Sequence, residues 1–335
     1  METIYTVGID MSKKDFQTAL TVDGTNFFEQ LVTNHPTSIS SYFKSIKKQF
    51  GFSFNQVVVC LEHTGIYSWP LLRFLVHHQI KVCIEPAMQI KQSQGMTRGK
   101  TDKIDARRIA QYAVRNREGL RFWQPPRSVI QKLQMLLTQR ERLVKIKVQL
   151  EVPLKESGEF IESTIYKMMQ RNSLATQKAI AKDILRIETQ LQELVKSDDR
   201  LRLQYKRATS VPGVGPITAL NVIIATGEFT RITDTKKFAC YAGVAPFAHS
   251  SGSSIRGKTR VSKMANMTIK KLLHLAAISA IQYSDEIKSY YERRVAEGKN
   301  RMSVINAVRN KLITRIFMCI KQERTYQKDY RNALA

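Results

Sequence analysis

The sequence predicts an α/β domain over residues 1–125, a long helical arm over 126–208 and a mostly α-helical domain over 209–335. Three patterns carry this prediction. Strand-like runs give way to alternating strand and helix before residue 125. Two long stretches then place apolar residues every three or four positions. Beyond residue 209 the apolar runs have helical spacing.

In order, "IYTVGI" (4–9) is apolar and β-branched and ends at Asp10. "FQTALTV" (16–22) and "FFEQLVT" (27–33) read as two further strands, with "DGTN" as the turn between them. "TSISSYFKSIKKQF" (37–50) has helical spacing. "NQVVVCLE" (55–62) is a continuous apolar run of the kind buried on both faces of a sheet. "HTGIYSW" leads into a helix beginning at Pro70, where a missing N–H costs nothing. "KVCIEP" (81–86) is a strand closed by Pro86, and "TDKIDARRIAQYAVRN" (101–116) is a helix with Ile104, Ile109, Ala110 and Ala113 near one side. The order implies one sheet with a hairpin-connected antiparallel part and a parallel part. "WQPPRS" (123–128) breaks the chain. The runs 129–152 and 177–208 then form either an antiparallel hairpin or coiled-coil arm, or part of an ordinary bundle. In the last domain, 210–227, 271–281 and 302–322 read as helical. Its "VPGVGP" (211–216) is either a phosphate-contacting hairpin between helices or a plain connection in the core.

Charge narrows the function. The chain has 54 Lys and Arg against 28 Asp and Glu, a formal net charge of +26. Self-repulsion of that size is normally relieved by a polyanion, so nucleic acid is the expected partner and an acidic membrane surface the weaker alternative. No apolar run is long enough to span a bilayer, and the N-terminus lacks the pattern of a secretory leader. Cys60, Cys83, Cys240 and Cys319 are dispersed, with no CxxC, and read as reduced thiols of a cytoplasmic protein.

In so basic a chain, the carboxylates of "RGKTDKIDARR" (98–108) need a reason. Asp102 and Asp105 lie one helical turn apart. Alone, they read as acids favoured by a helix N-terminus. Asp10 and Glu62, however, each end a strand, and ligand and metal sites of open α/β sheets lie beyond the carboxyl ends of strands. If the strands are neighbours, four carboxylates converge. Their hard oxygens beside phosphate suit Mg²⁺ or Mn²⁺, which can polarise a phosphodiester. Glu85, also at a strand end, is read as outside this set.

Asp10 in "GIDMSK", Glu62 in "LEHTGIY" and Asp102 with Asp105 in "KTDKIDA" resemble the DEDD signature of RuvC-like nuclease domains. More narrowly, they resemble the transposases of the insertion sequence 110 family. The resemblance covers about residues 5–125 and 205–285. One departure is Glu85-Pro86, where the family has Asn-Pro. The resemblance implies an RNase H/RuvC-like fold and a DNA recombinase that binds donor and target DNA. It also implies guidance by a bridge RNA and assembly as a dimer or tetramer through the helical arm. In a bacterial cytoplasm such a protein is nucleoid-associated when active.

Between Lys236 and Lys271 there are eight basic residues and no acid. Within that segment "HSSGSSIRGK" reads, by composition, as a Ser/Gly loop that hydrogen-bonds phosphate. The family's P-x-x-x-x-S-G motif matches "PFAHSSG", which implies that Ser251 is the nucleophile. Ser250, where Gln is usual, is the fallback, and His249 reads as a phosphate contact. Arg256, Lys258, Arg260 and Lys263 would bind the nucleic-acid phosphates. Two other functions remain open from the residues: a two-metal, structure-specific RuvC-type endonuclease, and a non-catalytic nucleic-acid-binding protein.

Overall fold

The computed structural model describes residues 4–62, 64–95, 99, 101–251, 255–261 and 265–328, with side chains of 248–251 and 255–260 outside that description. The chain divides into two compact units, 1–125 and 126–335.

The first unit is built on a five-stranded sheet. Strands β1 (Tyr5–Met11), β2 (Asp15–Thr21) and β3 (Phe28–Thr33) form an antiparallel meander. β4 (Val57–Glu62) and β5 (Lys81–Glu85) continue it in parallel, in the spatial order β3-β2-β1-β4-β5. This is the mixed sheet expected from the order of runs. β4 is buried along most of its length because both faces are covered. On one face α1 (Pro36–Phe50) and α2 (Trp69–His77) place Ile39, Phe43, Ile46, Leu71 and Leu75 against Val7, Ile9, Val59 and Leu61. On the other, after the short α3 (Ala87–Gln92), lies α4 (Asp102–Arg115), which packs through Ala106, Ile109, Ala110, Tyr112 and Ala113.

Gly8 sets how closely α4 approaches. A Cβ there would stand 2.3 Å from both the Ala106 carbonyl oxygen and the Ala110 nitrogen, so helix backbone rests directly on strand backbone. Alanines at 106, 110 and 19 leave room for that contact. At the other end of the helix, Arg117 donates to the carbonyls of Ile4 (3.3 Å) and Val22 (2.7 Å), at the start of β1 and just past the end of β2. α4 therefore runs antiparallel to β1.

The second unit contains the arm and the helical domain, and the base of the arm shares a core with that domain. α5 (Ser128–Ser157) and α6 (Ser163–Ser197) lie side by side. Ile130, Leu133, Leu137, Ile187, Leu191 and Val195 pack with Leu220 and Ile223 of α8 (Pro216–Thr226). The long run 177–208 is not one helix. Asp198 accepts from Leu201 N–H (2.8 Å) and so caps a new helix, α7 (Asp199–Thr209). The same carboxylate and that of buried Glu228 grip Arg127, at the root of α5. The α7–α8 turn is drawn into the core. Gly213, at φ +83°, has room for no Cβ, since the Ala276 carbonyl would lie 2.4 Å away. The "VPGVGP" turn thus packs closely against α10 (Met267–Tyr283). Helices α9 (Thr235–Tyr241), α11 (Asp285–Ala296) and α12 (Arg301–Lys321) complete the domain around Phe238, Leu273, Leu312 and Ile316. The Ser/Gly segment, read from composition as a loop, is a two-stranded antiparallel ribbon, β6 (Pro246–Ser251) with β7 (Ile255–Val261).

Two stability predictions follow from this packing. Gly8→Ala forces α4 off the sheet and should lower unfolding stability by about 1–3 kcal/mol, read from the denaturant midpoint. Arg127→Met leaves Glu228 buried and only partly compensated by Arg200, 3.4 Å away. Because Arg127 itself is partly solvated, the expected loss is about 1–3 kcal/mol, less than for a fully buried pair. The Arg127 hydrogen bonds hold the Asp198 carboxyl below its usual range. Its contribution is therefore complete above the unfolded carboxylate value of about 4 and lost as pH falls below it. The difference between Arg127→Met and the unmodified chain should shrink in acid.

Candidate functional site

Strand parity and register set the strand-end carboxylates along one edge of the sheet. Gly8 faces α4, so Asp10, two residues on, shares that face. β1 and β4 pair in parallel with Gly8 beside Cys60 and Ile9 beside Leu61, and the next step sets Asp10 beside Glu62. Glu62 in turn pairs with Glu85 on β5. Three acids thus stand in a row at the carboxyl ends of β1, β4 and β5, on the α4 side. Beneath them the thiols of Cys60 and Cys83 pack against Ile109, Tyr112 and Ala113. The Cys83 thiol donates to Glu85 Oε1 at 3.2 Å. Hydrogen bonding with Cys83, together with burial, pushes the Cys60 thiol far up, so it stays protonated.

Helix α4 brings the other two acids to the same end. From its contact with Gly8, one helical turn covers about 5.4 Å and two strand residues about 6.6 Å. Along this shared direction Asp105 and Asp102 bracket the level of Asp10. Both lie on the stripe that continues into Ala106 and Ile109. Asp105 is half-buried and paired with Arg108 at 3.0 Å, and Asp102 is exposed. Neither acid is the helix cap: Thr101 fills that role, its hydroxyl accepting from Ile104 N–H at 3.3 Å. Both acids do lie in the first turn, where the helix dipole favours them. Among the described residues, no three His, Cys, Asp or Glu side chains stand close enough to enclose a metal ion. The acids share an edge without forming a closed cage. As a donor set, all carboxylate oxygen with Arg108 and Lys103 beside it, they fit a hard divalent cation such as Mg²⁺ or Mn²⁺.

Flanking loops are fixed at this edge. The Asn34 side-chain amide donates to the carbonyl of Tyr67 at 2.9 Å and to that of Ser12 at 3.4 Å, joining the β1–β2 turn to the segment after β4. Arg107 makes two hydrogen bonds to Glu29, at 2.7 and 2.6 Å, and ties α4 to β3. Sequence reasoning did not single out Asn34 or Arg107, and it set Glu85 aside. For Glu85 a signal was present, since "KVCIE" ends as "VVVCLE" does, in carboxylate two residues beyond cysteine.

The proposed nucleophile lies in the second unit. Ser250 pairs with Arg256 and Ser251 with Ile255 at the far end of the ribbon. The side chains of His249, Ser250, Ser251, Arg256, Lys258 and Arg260 lie outside the description, as does all of Lys263. Asn306 donates to the Val244 carbonyl (2.8 Å) ahead of β6. Asn266, beyond β7, is bound to Tyr241 through its backbone N–H (2.8 Å) and its side-chain amide (2.9 Å).

Comparison with known proteins places these features in a family. Residues 7–156 match the transposase profile DEDD_Tnp_IS110, and residues 205–292 match the profile described as Transposase IS116/IS110/IS902 family. The chain is 25% identical over 330 residues to the pilin gene-inverting protein of Moraxella bovis, covering 96% of this chain and 97% of that protein. It is 27% identical over 261 residues to the transposase for insertion sequence element IS1111A of Coxiella burnetii, with 68% of each chain covered. Among solved structures, Thermus thermophilus RuvC in complex with a Holliday junction substrate matches 36% of this chain and 99% of that one, at 15% identity and a TM-score of 0.28. With an acid-edged sheet in its first unit and a helical second unit, and with profiles matched over 7–156 and 205–292, the chain belongs to the IS110 family of insertion-element transposases.

Proposed function

We propose that this transposase cuts and rejoins DNA strands through a phosphoserine intermediate formed by Ser251. Asp10, Glu62, Asp102 and Asp105 would hold the divalent cations. The observation that carries this reading is the antiparallel seating of α4 on β1, which takes Asp102 and Asp105 to the edge where Asp10 and Glu62 end their strands. Mg²⁺ or Mn²⁺, when bound, supplies Lewis-acid polarisation of the scissile phosphate. The chain's own residues do the rest. The Ser251 hydroxyl attacks phosphorus, its Oγ–P bond forms as the P–O3′ bond breaks, and the departing 3′-oxygen ends as a hydroxyl with the serine proton balanced to it. That hydroxyl can later attack another such ester, so the bond energy is kept for rejoining. Arg256, Lys258, Arg260 and Lys263 neutralise phosphate around the serine. A relative named for inverting a pilin gene fits this chemistry, because inversion requires every cut end to be rejoined.

Specificity is assigned to a bridge RNA pairing with donor and target DNA. No helix among the described residues is long and apolar enough to cross a membrane.

Assembly is assigned to the arm. Beyond the Arg140–Glu188 ion pair that joins its two helices, neither helix has a buried residue until Ile187. That distal part exposes Ile146, Val152, Phe160, Ile165 and Met168, with Phe160 84% exposed. Apolar surface of this kind suits a second copy of the same hairpin.

Two experiments test the reading. With guide RNA, donor and target DNA and Mg²⁺, the unmodified chain should leave protein covalently attached to a DNA end. Ser251→Ala should abolish that adduct, and Asp102→Asn should lower cleavage by about 10²-fold or more while retaining DNA binding. Cleavage undiminished in Ser251→Ala would favour a plain metal-dependent nuclease, and full activity in Asp102→Asn would remove the acid edge from the chemistry. In the second experiment, Phe160→Asp with Met168→Asp should shift the mass seen by light scattering toward monomer, with the melting of the helical domain unchanged.

A further inference from the structure

A second basic site lies in the cleft between α11 and α12. Its volume is about 420 Å³, and Glu286, Ser289, Tyr290, Arg293, Lys311 and Arg315 line it. Lys311 and Arg315 lie one turn apart on α12, and Tyr290 and Arg293 one turn apart on α11. The Tyr290 ring organises two of the cations, with Lys311 Nζ 4.4 Å and the Arg293 guanidinium 5.9 Å from its centroid. Arg315 is held in place by Glu286 and by the Tyr326 ring, 5.0 Å away.

The acid in the cleft is already engaged. One Glu286 oxygen takes Arg315 and the other accepts from the Tyr326 hydroxyl at 2.8 Å. These neighbours hold its carboxyl below the usual range despite burial. What remains is an excess of positive charge. Among the described residues, neither Arg293 nor Lys311 has a carboxylate within ion-pair distance. Arg315 Nη1 is buried with no hydrogen-bond partner. A guanidinium N–H left unmatched beside two cations that make no direct ion pair suits an anionic oxygen ligand.

We propose that the α11–α12 cleft binds a phosphodiester of the nucleic-acid backbone, giving the helical domain a second phosphate grip besides that of the ribbon. Lys311 and Arg293, held on the Tyr290 ring, neutralise the phosphate's charge together with the Arg315 guanidinium in the cleft wall. A phosphate contact of this kind positions the strand without reading its sequence. Duplex DNA and single-stranded RNA both present this chemistry.

The test is binding by the full chain without added metal, so its outcome does not depend on the acid edge. Fluorescence anisotropy with a labelled duplex DNA and a labelled single-stranded RNA is followed as a function of salt for Arg293→Gln/Lys311→Gln. Both side chains are at least partly exposed, and unchanged thermal melting verifies the fold. The expected result is about tenfold weaker binding, with a salt slope reduced by roughly 0.7–0.9 for each phosphate no longer neutralised. The arm that loses slope identifies the nucleic acid held there. Arg293→Lys/Lys311→Arg should restore the slope. An unchanged slope in both arms would overturn the proposal. So would an equal loss on replacing Lys178 and Lys182 of the arm by Gln, because the effect would then be net charge alone.

Discussion

Everything at the acid edge depends on backbone meeting backbone at Gly8. Helix-on-sheet packing is normally spaced by side chains, which lets a helix slide or roll by adjusting rotamers. At Gly8 no side chain intervenes, and Ala106 and Ala110 add almost nothing on the helix side. Packing of this kind has little tolerance, because interiors reach crystal-like density and backbone atoms cannot move aside cheaply. Arg117, bound to carbonyls at the start of β1 and past the end of β2, then fixes the direction of the helix. Distance and direction together determine where the first turn of α4 falls, and that turn carries Asp102 and Asp105.

Such an arrangement works against its own electrostatics. Two carboxylates about 5 Å apart repel by roughly 3 kcal/mol at an effective dielectric near 20. Asp10, Glu62 and Glu85 stand on adjacent strands in one row. Hydrophobic burial elsewhere must hold them there: the Cys60, Cys83, Ile109 and Ala113 cluster lies directly beneath and clamps sheet to helix. Arg108 offsets part of the charge at Asp105. Cations, divalent ones included, would relieve what repulsion remains along such a row.

The sheet was legible because period-2 runs and buried β-branched stretches leave few alternatives, and its mixed pairing followed from the order of elements. Asp10 and Glu62 could be placed because both end strands. Helix spacing marked Ile109, Ala110 and Ala113, but Ala106 and Gly8 were invisible as a contact: their role lies in what they lack, and only the register reveals it. The ribbon was misread for a related reason. Serine and glycine composition signals loop, whereas the ribbon formed by 246–251 and 255–261 is anchored at its roots by Asn266, just past β7, and by Asn306 from the distant α12. The break at Asp198 was hidden because helical periodicity continues through it. It is the cap and the grip on Arg127 that end one helix and begin the next.

The ribbon and the arm pose the same physical problem at different scales. A two-stranded ribbon is marginal in water by itself, and helices with no buried residue gain little from one another. In each, support comes at the root from the helical core and declines outward. In each, the outward part carries what would complete it: cations from Arg256 to Arg260 with no acid among them in one, exposed Phe160, Ile165 and Met168 in the other. Phosphate would stabilise the first by relieving like-charge repulsion, and a second apolar hairpin would stabilise the second by burial. An element organised this way gains its full stability only when its partner is present. On the proposed function, that would couple the outer segments to assembly on nucleic acid and confine strand cleavage to the assembled state.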